Sequence, residues 1–288
     1  MKTNCNTLLE FTRVISVRNS WIIPAIFFLF VCSLRGNSQT NSLSEKWADN
    51  TAFNIADGKW ESGIFQPFRF GLNNRIELMS NALLFPFLPN AGVKITLRSE
   101  KGLLLASEHL VSYPTLFLNL MSFKGTGGLI SPQYSFPFII TLSNSLLATT
   151  PVGSSSLLTA DAGFIIALRG SKPDYRSSID IPFIYQRMAH YYEGVSVRAG
   201  ISFKGTIVKN LFFEEGTRVF LVTRSHDNIF IENSGAVLWS SKGSFRLKGG
   251  YLLSWGKYPF GNHLQLWPAF DIIFGSRNKI KKSNLIIT

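Results

Sequence analysis

Residues 264–274 read Leu-Gln-Leu-Trp-Pro-Ala-Phe-Asp-Ile-Ile-Phe, and this stretch decides the predicted fold. Strand side chains alternate between two faces, so every second residue lies on the same side. An aliphatic and aromatic face of this length, backed by a partly polar face, is typical of a strand between lipid and a wet lumen. The apolar face carries Leu264, Leu266, Phe270, Ile272 and Phe274, and the other face carries Gln265 and Asp271.

The same period of two recurs in three other stretches, which cover residues 93–98, 195–204 and 245–255. In each stretch the apolar residues occupy one face and the charged residues occupy the other. The charged residues are Lys94 and Arg98 in the first stretch, Arg198 and Lys204 in the second, and Arg246 and Lys248 in the third.

Turn signals divide the chain after residue 58 into strand-like runs, for example at Asn73-Asn74, at residues 151–153 and at residues 241–243. Short turns between neighbouring strands predict an antiparallel meander. Open strand edges are unfavourable in lipid, so the sheet is expected to close. We therefore predict an all-β fold, an antiparallel up-and-down transmembrane β-barrel over residues 59–274, with ten to twelve strands and twelve favoured. A soluble β-sandwich is the alternative reading of the same aromatic-rich composition.

The N-terminus predicts export. Basic residues at positions 2, 13 and 18 precede an uncharged run over residues 21–34, and small polar residues follow. This run is shorter than the roughly 20 residues of a membrane-spanning helix, so residues 1–38 are predicted to be a signal peptide and a retained anchor is the alternative. A lipoprotein is disfavoured because Val31 precedes Cys32. Residues 39–58 are expected to be a mobile or loosely packed lead-in, and residues 275–288 a basic tail.

Both cysteines, Cys5 and Cys32, lie in the predicted leader, so no disulfide is expected in the mature chain. The leader also removes four of the 29 basic and one of the 17 acidic residues, which leaves 25 minus 16, or +9. The basic residues are dispersed along strands and turns, without a patch that tracks a nucleic-acid backbone. Nucleic acid is therefore not an expected partner, and lining of the lumen or contact with anionic lipid explains the charge.

No residue pattern predicts a catalytic, cofactor or metal site. The histidines at positions 109, 190, 226 and 263 lack the spacing of metal ligands. The tripeptide Ser225-His226-Asp227 contains the residue types of a catalytic triad, but adjacent residues on a turn do not adopt its geometry. We expect no cofactor and no metal, and an active site assembled from distant strands would leave no such pattern.

The run Gly-Ile-Phe-Gln-Pro-Phe-Arg-Phe-Gly-Leu at residues 63–72, followed by Arg-Ile-Glu-Leu at residues 75–78, resembles the first hairpin of a known group. This group comprises poorly characterised outer-membrane β-barrel proteins of Gram-negative bacteria, of the Bacteroidetes type. The resemblance is clearest over residues 58–98. It implies a barrel in the outer membrane, with outer-membrane lipid and the barrel-insertion machinery as partners, and it carries over no substrate or reaction. Such barrels usually end on an aromatic residue, whereas this chain continues past Phe274.

Strand parity predicts a set of charged residues that face the lumen, and the first three of them are expected to form an ion-pair network. The expected function is a structural barrel or a passive channel for small solutes, with a weak anion preference and no enzymatic activity. The alternative is an outer-membrane barrel enzyme that acts on lipid or lipopolysaccharide. The predicted lumen-facing residues are Arg69, Arg75, Glu77, Lys94, Arg98, Arg198, Lys204, Arg246 and Lys248.

Overall fold

The computed structural model describes residues 49–100, 102–125, 130–178, 184–223, 229–241, 245–258 and 261–276. The predicted signal peptide, the first part of the lead-in and nearly all of the predicted basic tail lie outside the described residues. The same is true of Ser225-His226-Asp227. These assignments stay predictions.

Twelve antiparallel strands form a closed barrel in which each strand pairs with its neighbours along the chain and β12 returns to β1. The structure therefore confirms the all-β up-and-down barrel and the favoured number of strands. The strands are β1 Trp60–Gly63, β2 Phe68–Asn73, β3 Ile76–Ser80, β4 Asn90–Glu100, β5 Leu103–Ser112, β6 Ile139–Val152, β7 Ser156–Arg169, β8 Val195–Val208, β9 Leu211–Val222, β10 Ile229–Ser240, β11 Phe245–Tyr258 and β12 Gly261–Gly275.

The outer wall is apolar and the inner wall is polar, as the alternation in each strand dictates. On β12, Leu264 is 68% exposed and Phe270 is 65% exposed, whereas Asp271 and Ile273 on the opposite parity are buried. The outward residues of β8 are likewise apolar, and its inward residues Ser196 and Lys204 are buried. The period of two in the sequence thus separates a lipid-compatible surface from an interior.

The two ends of the barrel differ in their connections. Tight turns such as β4–β5 and β6–β7 lie at the end that holds the described chain termini, and Gly102 and Gly153 adopt positive φ angles of 85° and 67° there. Longer connections lie at the opposite end and carry two short helices, α1 Thr115–Met121 and α2 Tyr185–Glu193. We call these the turn end and the loop end. Across the described ranges, no helix has the length and apolar character needed to cross a membrane.

The wall of the barrel is low on one side. Strands β1, β2 and β3 have four, six and five residues, against 15 in β12. Strand β1 pairs with β12 only through Ile273, Phe274 and Gly275, so the rest of β12 has no strand on that side among the described residues. A cavity in the lumen reaches this low wall.

The turn signal at Asn73-Asn74 leaves residues 60–72 as one strand-like run in the sequence, whereas the structure divides them into β1 and β2. The cause is the carboxylate of Asp271, which accepts hydrogen bonds from the backbone N–H groups of Ile64, Phe65 and Gln66 at 2.7, 3.2 and 2.8 Å. These bonds give the backbone N–H groups of a tight turn the acceptor that strand pairing would otherwise supply. Gly63 is also required there, because an added Cβ would lie 2.5 Å from Asp271 Oδ2.

Candidate functional site

The inner wall carries a buried ion-pair network around Glu77 on β3. The Glu77 Oε1 atom lies 3.1 Å from Lys94 Nζ and 3.5 Å from Arg69 Nη1. Arg69 also pairs with Glu61 on β1, and Glu61 pairs in turn with Arg246 on β11. Glu77 and Glu61 therefore each pair with two cations, which offsets part of the cost of burying charge.

A second network surrounds Glu214 on β9. Glu214 Oε2 lies 3.2 Å from Lys204 Nζ on β8, and the other oxygen pairs with Lys248 on β11. Nearer the loop end, Arg218 Nη2 lies 3.2 Å from Asp161 Oδ1, and Arg198 donates to Ser145 Oγ at 2.8 Å. These contacts link neighbouring and more distant strands across the lumen.

The structure places seven of the nine predicted residues on the inner wall, and two elsewhere. Arg75 is exposed in the β2–β3 turn, because Asn73 pairs directly with Ile76 and its Oδ1 accepts the backbone N–H groups of both Arg75 and Ile76. Arg75 therefore has no strand parity and is not part of the network with Arg69 and Glu77.

Arg98 also differs from its predicted position. A bulge in β4 lets Thr96 pair with Ala106 and Arg98 pair with Leu105, so Leu97 is the extra residue. A bulge of one residue reverses the parity of the rest of the strand. Arg98 is accordingly exposed on the same side as Leu105, whereas Lys94 before the bulge faces inward.

Of the inward acidic residues, Glu77 was predicted to face the lumen and Asp271 was placed on the polar face of its strand, and the others were not predicted from the sequence. They occupy inward positions on their strands, so strand parity is the sequence signal that identifies them. With these acids included, inward positive and negative charges nearly balance, which removes the basis for the expected anion preference. The inward acids are Glu61, Glu77, Glu108, Asp161, Glu214, Glu232 and Asp271.

Residues 49–57 run inside the turn end of the barrel. The backbone N–H of Ala52 donates to Thr149 Oγ1 at 2.8 Å, and that of Ile55 donates to Glu77 Oε2 at 2.7 Å. Ala52 packs on Ala106 and Leu147. The expectation of a mobile or loosely packed lead-in is therefore corrected for these residues, because the inner wall supplies partners for their backbone.

Electrostatics also hold this segment in place. Lys204 Nζ donates to the backbone oxygen of Asp49 at 2.6 Å. Burial raises the pKa of the Asp49 carboxyl, but Lys204, Arg69 and other inward cations outweigh burial and hold this pKa well below its ordinary value. Asp49 is thus a carboxylate that adds one negative charge to a basic part of the lumen.

Helix α2 fills the loop end. Tyr185 stacks on Tyr192 and contacts the rings of Phe230 and Tyr258 on the wall, within a larger apolar cluster. Polar contacts add to this packing: Gln186 Nε2 donates to Ser254 Oγ at 2.9 Å, and Arg187 Nε donates to Glu232 Oε2 at 3.0 Å.

His190 is a buried imidazole on the same helix. Burial, together with the nearby positive charge of Arg198, lowers its pKa from 6.5 to about 3. The ring is therefore neutral at pH 7, and its protonation would oppose the docking of α2.

Between the N-terminal segment and α2 lies a cavity of about 580 Å³ whose lining mixes apolar and charged side chains. Its lining includes inward charges from most of the barrel, together with Gln66, Ser80 and Asn90 at the low wall formed by β1–β3. Among the residues that the structure describes, no group of three or more His, Cys, Asp or Glu side chains is placed to hold a metal ion. The cavity has room for water and small solutes.

Comparisons with known proteins give no family. No protein-family model matches the chain, and no curated protein matches it. Among solved structures, the chain is similar to the crystal structure of the outer membrane channel DcaP of Acinetobacter baumannii, with a TM-score of 0.37 and 9% sequence identity. This match covers 80% of the present chain and 65% of the DcaP chain. Function is therefore inferred from the geometry of the barrel itself.

Proposed function

We propose that this protein is an outer-membrane β-barrel whose lumen is closed at rest by residues 49–57 at the turn end and by α2 at the loop end. The apolar outer wall suits a bilayer, and the closed sheet satisfies strand backbones without water. Placement in the outer membrane rests on this fold together with the predicted secretory leader and the resemblance of residues 58–98 to outer-membrane barrels.

The observation that carries the closed lumen is the burial of residues 49–57 against the inner wall. Ala52 and Thr51 are fully buried, and the segment takes hydrogen bonds from or gives them to several strands. Solutes then pass only when this segment or α2 moves. A barrel of this kind has a structural role at rest and admits small solutes only in a minor open state.

Planar-bilayer recording on the full mature chain tests this proposal. The wild type is expected to be almost silent. Ala52→Trp adds a large ring between Ala106 and Leu147, where the fully buried alanine leaves no room for it, so it should expel the segment and raise the open probability at least several-fold. Asp57→Ala, an exposed neighbour, is the matched control and should leave the recording unchanged.

A large steady conductance of the wild type would contradict the closed lumen. Recovery of the folded protein as a soluble monomer without detergent would contradict the membrane location itself. Heat-modifiable migration on a gel, which reports a folded barrel, separates these outcomes from a simple failure to fold.

A further inference from the structure

Three polar side chains lie together on the outer wall, away from the lumen. Ser107 and His109 are two residues apart on β5 and so share its outward face, and Asn144 on β6 is the direct cross-strand partner of His109. The outward positions around them are apolar: Val93, Ile95, Leu105, Val111, Leu142 and Leu146.

The three side chains form a linear hydrogen-bonded relay. His109 Nδ1 lies 2.6 Å from Asn144 Oδ1, and His109 Nε2 lies 3.2 Å from Ser107 Oγ. An amide oxygen only accepts, so this contact requires the proton to be on Nδ1. Nε2 then carries the lone pair and accepts from the Ser107 hydroxyl, which is the arrangement of a nucleophile, a general base and an orienting group.

Polar groups on a lipid-facing wall are costly, so their presence calls for a reason. One reason is that the polar groups can satisfy each other's hydrogen bonds, as a second polar set on the wall illustrates. There the Tyr251 hydroxyl on β11 lies 2.9 Å from Asn233 Oδ1 and 3.1 Å from Glu215 Oε1, and Asn233 Nδ2 donates to Thr217 Oγ1 at 3.1 Å. The set contains no histidine. The Tyr251 set therefore shows that mutual hydrogen bonding can hold polar side chains on this wall, and it contains hydroxyl groups but no imidazole to act as their base.

The His109 set adjoins an apolar groove on the outer wall, whereas Glu215 and Tyr251 line the larger cavity that charged side chains surround. A cavity of about 450 Å³ on the outer wall is lined by His109 and Asn144 together with Ala91, Val93, Val111 and Leu142. Groove and relay lie nearer the loop end of β5 and β6 than the turn end, since His109 is followed by only three further residues of β5. A hydrocarbon chain from the surrounding bilayer fits this lining, and its ester end would then lie over the His109 ring. Ser107 does not line the groove: it is 7% exposed and lies on the turn-end side of His109, so its hydroxyl is reached from the groove past that ring.

We propose that Ser107, His109 and Asn144 form a hydrolytic site for the acyl ester of a membrane lipid, an inference that rests on the proposed membrane location. His109 Nε2 takes the hydroxyl proton as Ser107 Oγ attacks the ester carbonyl carbon. The bond from this carbon to the alcohol oxygen breaks, and His109 returns the proton to that oxygen. Water then attacks the acyl-serine with His109 as base, which releases the fatty acid and regenerates the Ser107 hydroxyl.

The hydrogen bonds of the three side chains assign a role to each of them. Ser107 and His109 are the catalytic residues because they meet the reacting atoms. Asn144 is a positioning residue that fixes the tautomer and the ring of His109. The Asn144 role predicts that a carboxylate, which also accepts from Nδ1–H, can substitute for the amide.

The test measures fatty-acid release, by mass spectrometry, from vesicles that contain the folded full mature chain. One arm uses phosphatidylethanolamine and phosphatidylglycerol, and the other adds lipopolysaccharide, so the released acid identifies the lipid class. Ser107→Ala and His109→Ala should reduce release to the level of empty vesicles. Asn144→Ala should lower it about 10²-fold, and Asn144→Asp should restore most of it.

Two controls separate chemistry from packing. Tyr251→Phe alters the other polar set of the wall, and Ser112→Ala alters the inward face of the same strand, so both should keep wild-type release. Leu142→Trp fills the groove and should reduce release at least several-fold, although it leaves the relay intact.

Release from either lipid arm that depends on Ser107 and His109 supports the proposal. A heat-modifiable, inserted barrel that releases no fatty acid in either arm overturns it and leaves the closed-lumen function standing. Equal release by the wild type and Ser107→Ala also overturns it. A folded chain that does not insert in vesicles overturns both proposals.

Discussion

The lumen and the outer wall each carry polar side chains, but they use them in opposite ways. Inside, Glu77 and Glu214 each pair with two cations, and the N-terminal segment and α2 take further contacts. Outside, Ser107, His109 and Asn144 form one chain of two hydrogen bonds beside an apolar groove. The inner set is densely cross-linked, whereas the outer set is a single chain in which His109 and Asn144 line the groove and Ser107 lies next to them, outside its lining.

The two networks are expected to have different roles: the inner one stabilises the barrel, and the outer one is reactive. A charge that shares several partners is held in one state, and removal of a partner leaves an unpaired buried charge. A serine hydroxyl that donates to a histidine whose other nitrogen is already engaged is poised to lose its proton. The role of a polar residue in this barrel is therefore inferred from its hydrogen-bond network and from the surface beside it.

The largest stability effect is expected for Glu77→Ala. This substitution leaves Lys94 and Arg69 without a shared partner and removes the acceptor for the Ile55 N–H, so we expect a loss of roughly 3–5 kcal/mol. The unfolding midpoint in detergent, followed by heat-modifiable migration, measures it. The same variant should also release the N-terminal segment.

Glu193→Ala is the matched control for that substitution. Its partner Lys172 is 54% exposed, so this pair should contribute about 0–1 kcal/mol. Equal losses for the two variants would show that the lumen network does not stabilise the barrel.

A smaller effect is expected from acidification, through His190. Its pKa is about 3 when α2 is docked and 6.5 in the released helix, so docking is fully stabilised above pH 6.5 and weakens as pH falls toward 3. At pH 5 the released state should gain at most about 30-fold relative to pH 7, seen as a higher open probability. His190→Gln should flatten this dependence, and an unchanged slope would contradict the role of His190.

The barrel fold was predictable because period-two alternation depends on local sequence alone. Residues 195–204 and 264–274 display their outward and inward faces without reference to any other part of the chain. The positions of Lys94, Lys204 and Lys248 follow from the same parity. Arg75 and Arg98 did not follow, because a shift of one residue in a turn and a bulge in β4 reset the register.

The hydrogen-bonded set on the outer wall could not be predicted from local sequence. Ser107 and His109 are close in sequence, but Asn144 reaches them only through the register between β5 and β6, across a connection that contains α1. The burial of residues 49–57 was equally hidden, since its partners Thr149 and Glu77 come from distant strands. Sequence spacing reports chemistry within one element, whereas these sites depend on pairing between elements.

Covalent labelling of the folded barrel with a serine-reactive fluorophosphonate, followed by peptide mass mapping, tests most directly whether the outer polar set is reactive and the inner set structural. We predict one adduct, on Ser107, that is absent in His109→Ala and unchanged in Tyr251→Phe. The inward serines Ser145 and Ser254 should stay unmodified. A folded barrel without an adduct on Ser107, or equal labelling of Ser107 after His109→Ala, would contradict this division.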